Sequence, residues 1–324
     1  MKKWKKIVAG GVALLSVATL AACSGNKSSD TTLKLWVPTG AKNSYSATIK
    51  EFEKNNKGIK IEVKESNDSK AQEVVSKDAA AAADVFSMPH DQLGQLVEAK
   101  IIQPIPDKYV KEVKANNVEN AVTGAQYKGK TYAFPFGVES QVLLYNKNKL
   151  SAEDVKSYET MTSKAKFGNS LNEVNAYSVA PLMLSVGNTL FGANGEDAKG
   201  TNWANEKGVA VMQWLADQKN NSGFVNVPDN EAVSKFGNGA VDAIETGPWN
   251  YPDAVKALGK DKMGVAVYPT VQIGGQKVQQ KAFMGVKLYA VNQAPAKGNT
   301  KRIAAAYKLA SYLTAKDLSL IHIS

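Results

Sequence analysis

Cysteine is almost missing from this 324-residue chain, with Cys23 the only one. A lone cysteine excludes a disulfide framework and any zinc site built on paired cysteines. Histidine is nearly as scarce. Only His90 and His322 occur, and neither sits in an H-E-x-x-H pattern. No G-x-S-x-G nucleophile turn is present, and the glycines of Phe236-Gly-Asn-Gly239 are too loosely spaced to cradle a phosphate. No uncharged apolar run reaches the ~20 residues that a membrane span requires. No block of five like charges occurs either, although the formal charge is +10. Lysines spread evenly along a chain make a solvated surface, which disfavours nucleic acid as a partner. No cofactor and no metal is expected.

What is present begins at the N-terminus. Lys2, Lys3, Lys5 and Lys6 precede an uncharged stretch, Ile7 to Leu20, that is too short to span a bilayer and fits the apolar part of a secretory signal. It closes on Leu20-Ala21-Ala22-Cys23. That ending resembles the lipobox of bacterial lipoproteins, which implies cleavage before Cys23 and lipidation of its sulfur. An ordinary secretion signal with an incidental cysteine is the alternative. Residues 1–22 are therefore read as signal peptide, and 23–32 as lipidated cysteine plus a polar, flexible tether. Loss of four signal lysines leaves 36 basic residues against 30 acidic ones, a charge of about +6. One acyl chain anchors only marginally; the diacylglyceryl group implied by the resemblance supplies two.

From residue 33 onward the chain is long enough for two domains. Leu33 to Val37 alternates like a strand, Ser44 to Asn55 is helical with Tyr45, Ile49 and Phe52 on one face, and Ile59 to Val63 is a second strand. Ser69 to Ala83 reads as an Ala-rich helix and Asp84 to Met88 as a third strand. This βαβαβ rhythm predicts a parallel sheet with helices on both faces. A second series follows. Strands are expected at Thr131–Phe136 and Val138–Tyr145, broken at Gly137, and at Gly239–Glu245, Met263–Val267 and Phe283–Val291. Helices are expected at Tyr177–Leu190, Asn205–Asn220 and Lys301–Ala315. The prediction is an α/β fold of two lobes: 33–137 with 284–324, and 138–283, joined by hinge crossings. The chain stops at Leu318-Ser-Leu-Ile-His-Ile-Ser324 without a terminating signal. The fold is accordingly read as C-terminally truncated, the second lobe as incomplete, and the nativeness of residues 318–324 as open.

Ligands of open α/β sheets bind outside the C-terminal ends of the strands, and three strand ends carry informative residues. Asp91 follows Met88-Pro89-His90 and suits either a helix-start role or a ligand contact. Glu139 interrupts a largely apolar run and needs partners, which are hydroxyls at a cleft or a structural ion pair. Gly247-Pro248 throws Trp249 out of a strand end, where it either stacks on a sugar ring or joins the core.

The segments LKLWVPTGAKNSY, ADVFSMPHDQLGQL, YAFPFGVESQVLLYNK and ETGPWNYPDAV together resemble the maltose/maltodextrin-binding members of the bacterial extracellular sugar-binding protein family. Their spacing agrees from about residue 33 to residue 317. The resemblance implies a two-lobed, non-enzymatic lipoprotein that captures malto-oligosaccharide. It implies a monomer that delivers its sugar to an ABC-transporter permease, anchored on the outer face of the cell membrane of a Gram-positive bacterium. It also implies residue roles. Lys42 bonds sugar hydroxyls, Asp91 and Glu139 accept sugar O–H bonds, and Tyr177, Trp249 and Tyr251 supply aromatic surface. Met88, Gln92 and Asn175 depart from Trp, Arg and Glu in an enteric relative, which leaves the sugar and its length open. A different oligosaccharide is one alternative. A secreted glycoside hydrolase using Asp91 and Glu139 is the other, since such an enzyme needs two carboxyls at a set separation.

Overall fold

The protein was analysed as a computed structural model that describes residues 30–171, 176–193 and 195–315. Cys23, Asn175 and the last nine residues lie outside the described ones.

Lobe one is built on a five-stranded sheet. Strand β1 (Thr31–Pro38) alternates, with Leu33, Leu35 and Val37 fully buried. It begins at Thr31, so two residues expected in the tether are paired to the next strand instead. Strands β2 (Ile59–Ser66) and β3 (Val85–Pro89) flank β1 in parallel, and Val85 to Met88 are buried on both sides, as a central strand requires. One face carries the helix Ser46–Asn55, which turns Ile49 and Phe52 onto Leu33 and Leu35. The other face packs Phe86 and Met88 against Leu93 and Leu96.

The Ala-rich segment corrects an expectation. Its helix covers Ala71–Lys77 only. The Asp78 carboxylate accepts the Ala80 and Ala81 N–H groups at 3.1 and 3.0 Å. The side chain thus takes the Ala80 and Ala81 N–H groups out of the helical ladder, an alternative open to Asp despite the helix preference of the alanines after it.

Strands β4 (Ala133–Ser140) and β5 (Val142–Asn146) follow. The expected break at Gly137 falls instead at Gln141. β4 runs through Gly137 with a bulge at Phe136, whose ring stacks on Tyr289 at 4.7 Å. The bulge lies beside Pro135, which has no N–H for the ladder. β5 opens lobe two, whose sheet adds β6 (Phe167–Asn169), β7 (Phe224–Asn226), β8 (Ala243–Thr246) and β9 (Met263–Ala266) in the order β9-β5-β8-β6-β7. β8 is shorter than expected because Gly239, at φ +79°, closes the helix Ala232–Gly237. The helix expected to reach Leu190 stops at Ser185, just before Gly187 at φ +88°. Strand β10 (Met284–Val291) then returns to lobe one, antiparallel to both β3 and β4. The last described helix, Thr300–Leu313, packs Tyr307, Leu309 and Leu313 onto the first core.

The two crossings lie side by side. The Gln141 N–H donates to the Phe283 carbonyl at 3.1 Å, and the Phe283 N–H donates to the Gln141 side-chain oxygen at 3.3 Å. The bond pair holds both passages between lobes at one level.

One string looks like a motif and is not. Gly124-Ala-Gln-Tyr-Lys-Gly-Lys-Thr131 has the spacing of a phosphate-binding loop. It folds as a tight hairpin, Gln126–Tyr127 against Lys130–Thr131, with Gly129 at φ +74°. A phosphate loop follows a strand and opens a helix, so the match is coincidental. Among the described residues no helix is long and apolar enough to cross a membrane.

Candidate functional site

The parallel pairing of β1, β2 and β3 brings their C-terminal ends to one rim. Pro89 ends β3 in extended backbone, and His90–Gln92 form a single 3-10 turn with the exposed Asp91 in it. Asp91 reaches across to lobe two. Its Oδ2 accepts the Tyr177 hydroxyl at 2.9 Å. Tyr177 stands near the start of the helix Ala176–Ser185, and its ring meets Phe283 edge-on at 5.5 Å. Burial, and then the Asp91 charge, push the Tyr177 hydroxyl up to about 12, so it remains a donor at physiological pH.

Glu139 stands near Tyr177, on the face of β4 that looks into the same cleft. Its side chain lies over Gly285, where an added Cβ would come within 3.0 Å of the Glu139 Cγ. The Glu139 carboxylate faces the Lys287 ammonium at 3.4 Å, and that ammonium also bonds Asp68 Oδ2 at 3.0 Å. Burial works against the Lys287 charge, but Asp68 and then Glu139 outweigh it and raise its pKa above the usual lysine value. The ion-pair reading of Glu139 is thus realised, at a site still open to the cleft. Asp68 and Lys287 were missed in sequence. Asp68 lies in a turn after β2 among other polar residues, and Lys287 is one lysine in an apolar strand, so nothing local marked either.

His90 is structural. Its Nδ1 accepts the Val286 N–H at 3.2 Å, which leaves the proton on Nε2, and burial lowers its pKa. Gln92 ties two loops. Its amide donates to the Asp68 and Ser69 carbonyls at 3.2 and 2.8 Å and accepts the Gln72 N–H at 2.6 Å. Met88 is fully buried in lobe one.

Trp249 sits on the turn Pro248–Asn250 after β8 and is 51% exposed, which sets aside the core reading. Its ring covers Gly247, where any Cβ would clash at 2.1 Å. Tyr251, also exposed, opens the next helix. Lys42 is exposed at the turn after β1, its backbone N–H donating to Glu65 at 3.0 Å. Among the described residues no hydrogen bond or ring contact joins Lys42, Trp249 or Tyr251 to the Asp91–Tyr177–Glu139–Lys287 cluster. Cys23 lies outside the described residues.

Beneath the Trp249 turn sits another carboxyl that sequence reading passed over. Glu245 accepts from Asn169 Nδ2 at 2.9 Å, and Ser178 Oγ donates to the Asn169 side-chain oxygen at 2.7 Å. Burial pushes Glu245 up to about 8, against the opposing effect of hydrogen bonds with Gln280 and Asn169. The network links the turn bearing Trp249 to the helix bearing Tyr177. Chemically, lobe one offers carboxylate acceptors and lobe two offers aromatic rings with a hydroxyl donor.

Comparison with known proteins places the fold in a known family. A maltodextrin-binding protein from L. casei BL23, solved without ligand, superposes with a TM-score of 0.82 at 39% identity, covering 90% of this chain and 77% of that one. A maltooligosaccharide ABC transporter solute-binding lipoprotein of Streptococcus pneumoniae serotype 4 is 26% identical over 95% of this chain and 76% of its own. A galactooligosaccharide-binding protein of Bacillus subtilis is 27% identical over 85% of this chain and 69% of its own. The family model described as bacterial extracellular solute-binding protein matches residues 47–321, and the chain belongs to that family.

Proposed function

We propose that this protein captures a malto-oligosaccharide between its lobes and delivers it to an ABC importer. The observation that carries the reading is the Asp91–Tyr177 bond, which brings a carboxylate of one lobe and an aromatic hydroxyl of the other to a single point in the cleft. A pyranose has hydroxyls around its edge and C–H patches on its faces. Asp91, Glu139 and Lys42 suit the edge, and Tyr177, Trp249 and Tyr251 suit the faces. Ligand contacts are then shared between lobes only in the closed form, which gives the sugar the differential affinity that closure requires. Closure presents the membrane permease with a shape to recognise, and the proposed lipid on Cys23 keeps a monomer beside it on the outer face of the cell membrane.

The cleft chemistry favours a binder over a hydrolase. A glycosidase acid needs a raised pKa and open access to the glycosidic oxygen. Asp91 is exposed and engaged by Tyr177, and Glu139 is paired with a lysine. Glu245, whose pKa burial raises, is turned away into hydrogen bonds with Asn169 and Gln280. The galactooligosaccharide-binding relative supports a second reading, a different oligosaccharide in the same cleft. A thermal-shift and calorimetric series with maltose, maltotriose, longer α-glucans and galacto-oligosaccharides separates these. Stabilisation by α-glucans with no new reducing ends over hours is expected. Release of reducing ends is the hydrolase outcome, and a response to galacto-oligosaccharides alone is the second reading.

A further inference from the structure

Lys287 is the only cation with side-chain contacts to two carboxylates in the ion pairs of the described residues, and both carboxylates come from different segments of lobe one. Its strand, β10, is the one that returns from lobe two, and it pairs Lys287 with Gly137 on one side and Pro89 on the other. The ammonium is therefore inserted between the β2 end, through Asp68, and β4, through Glu139. About three-quarters of the Lys287 side chain is covered, as are four-fifths of the Glu139 and Asp68 side chains. A contact so shielded is not the loose surface pair whose worth is near zero. Gly285, two residues earlier on the same strand, leaves the gap across which the Glu139 side chain lies. The strand thus supplies both the space for Glu139 and the charge that fixes it.

We infer that Lys287 is a positioning residue of the ligand site, holding the Glu139 carboxylate in one orientation so that its remaining lone pairs face the cleft as acceptors. The inference rests on the sugar-binding reading above. A carboxylate oriented before the ligand arrives loses less freedom on binding, which is how preorganisation raises affinity. The Lys287 ammonium accomplishes this from behind, through Glu139, and Asp68 keeps it from swinging into the cleft itself. Removal of the ammonium leaves Glu139 and Asp68 as like charges without a mediator, free to choose other rotamers.

The test is a double-mutant cycle read by maltotriose calorimetry on the whole protein. Lys287→Met is expected to weaken binding about tenfold, and Lys287→Arg to recover most of that loss. In a Glu139→Gln background, Lys287→Met is expected to cost less than about twofold, because the group it acts through is already changed. The Glu139→Gln/Lys287→Met pair contains one unmatched charge fewer than Lys287→Met alone, so it remains informative should the single variant unfold. A purely structural lysine gives equal losses in both backgrounds, and that result overturns the inference. Wild-type protein that binds maltotriose as tightly as Lys287→Met overturns it too, while leaving sugar binding intact. Wild-type protein that binds no glucan or galacto-oligosaccharide overturns the sugar reading and this inference with it.

Discussion

The Tyr177 hydroxyl of lobe two donates to the Asp91 carboxylate of lobe one at 2.9 Å. The bond joins the two walls of the cleft through residues that the proposed function assigns to the sugar. The bond occupies Oδ2 of Asp91, and a carboxylate has further acceptor positions for a sugar hydroxyl.

Tyr177→Phe removes that bond and keeps the ring. An exposed hydrogen bond is worth roughly 0.5–1.5 kcal/mol, so the unliganded protein is expected to shift about two- to tenfold toward open forms. Distances between spin labels on the two lobes would lengthen relative to wild type. An unchanged distance distribution would show that the bond does not restrain the lobes.

Trp249 offers an exposed ring lying over Gly247. Truncation of such anchors commonly costs about 2 kcal/mol or more, so Trp249→Ala should weaken glucan binding about 30-fold. Calorimetry with unchanged affinity and intact circular dichroism would remove Trp249 from the site.

Glu245 bears on stability through pH. Its carboxyl titrates near 8 when folded, against an ordinary value of 4.5. The raised value means the folded state keeps a proton that the unfolded state releases. The neutral carboxyl therefore carries no penalty below about pH 4.5; stability falls as pH rises toward 8 and levels off above it. Glu245→Gln keeps an acceptor for Asn169 without an ionisable proton. The variant should match wild type near pH 4.5 and melt higher at pH 8, by an amount corresponding to a few kcal/mol. Parallel melting curves across that range would mean that Glu245 is ionised in the folded protein.

Asp84 is buried to 1% exposure and bidentately bonded by Arg302, at 2.6 Å to Nε and 2.9 Å to Nη2, while it also accepts the Lys34 N–H at 2.8 Å. These bonds tie the last described helix to β1 and β3. Arg302→Met strands a buried carboxylate and is expected to destabilise lobe one by about 3 kcal/mol in urea unfolding. A loss below about 1 kcal/mol would mean that the carboxylate finds another partner or a proton.

Much of this was legible because the signals were local. The alternation in Leu33 to Val37 and the apolar run around Val85 specify strands by their own period. Gly247-Pro248 points Trp249 out of a strand end, and the structure decides for the exposed ring over the core. Competing local bonds defeated other readings. Asp78 broke an Ala-rich helix with a side-chain turn, and Gly137 proved part of a strand because the bulge at Phe136 absorbed the irregularity there. Residues that matter through distant partners left no mark. Lys287 meets Asp68 across 219 positions, and Glu245 meets Asn169 across 76. Only the fold that brings the ends together gives these residues their roles.

Small-angle scattering with and without saturating maltotriose tests the clamp most directly. Sugar contacts divided between Asp91 and Glu139 on one lobe and Tyr177 and Trp249 on the other require that bound protein populate the closed form. A radius of gyration that shrinks on addition of maltotriose is the expected result. A radius that stays the same at saturation, with binding established by calorimetry, would contradict capture by closure.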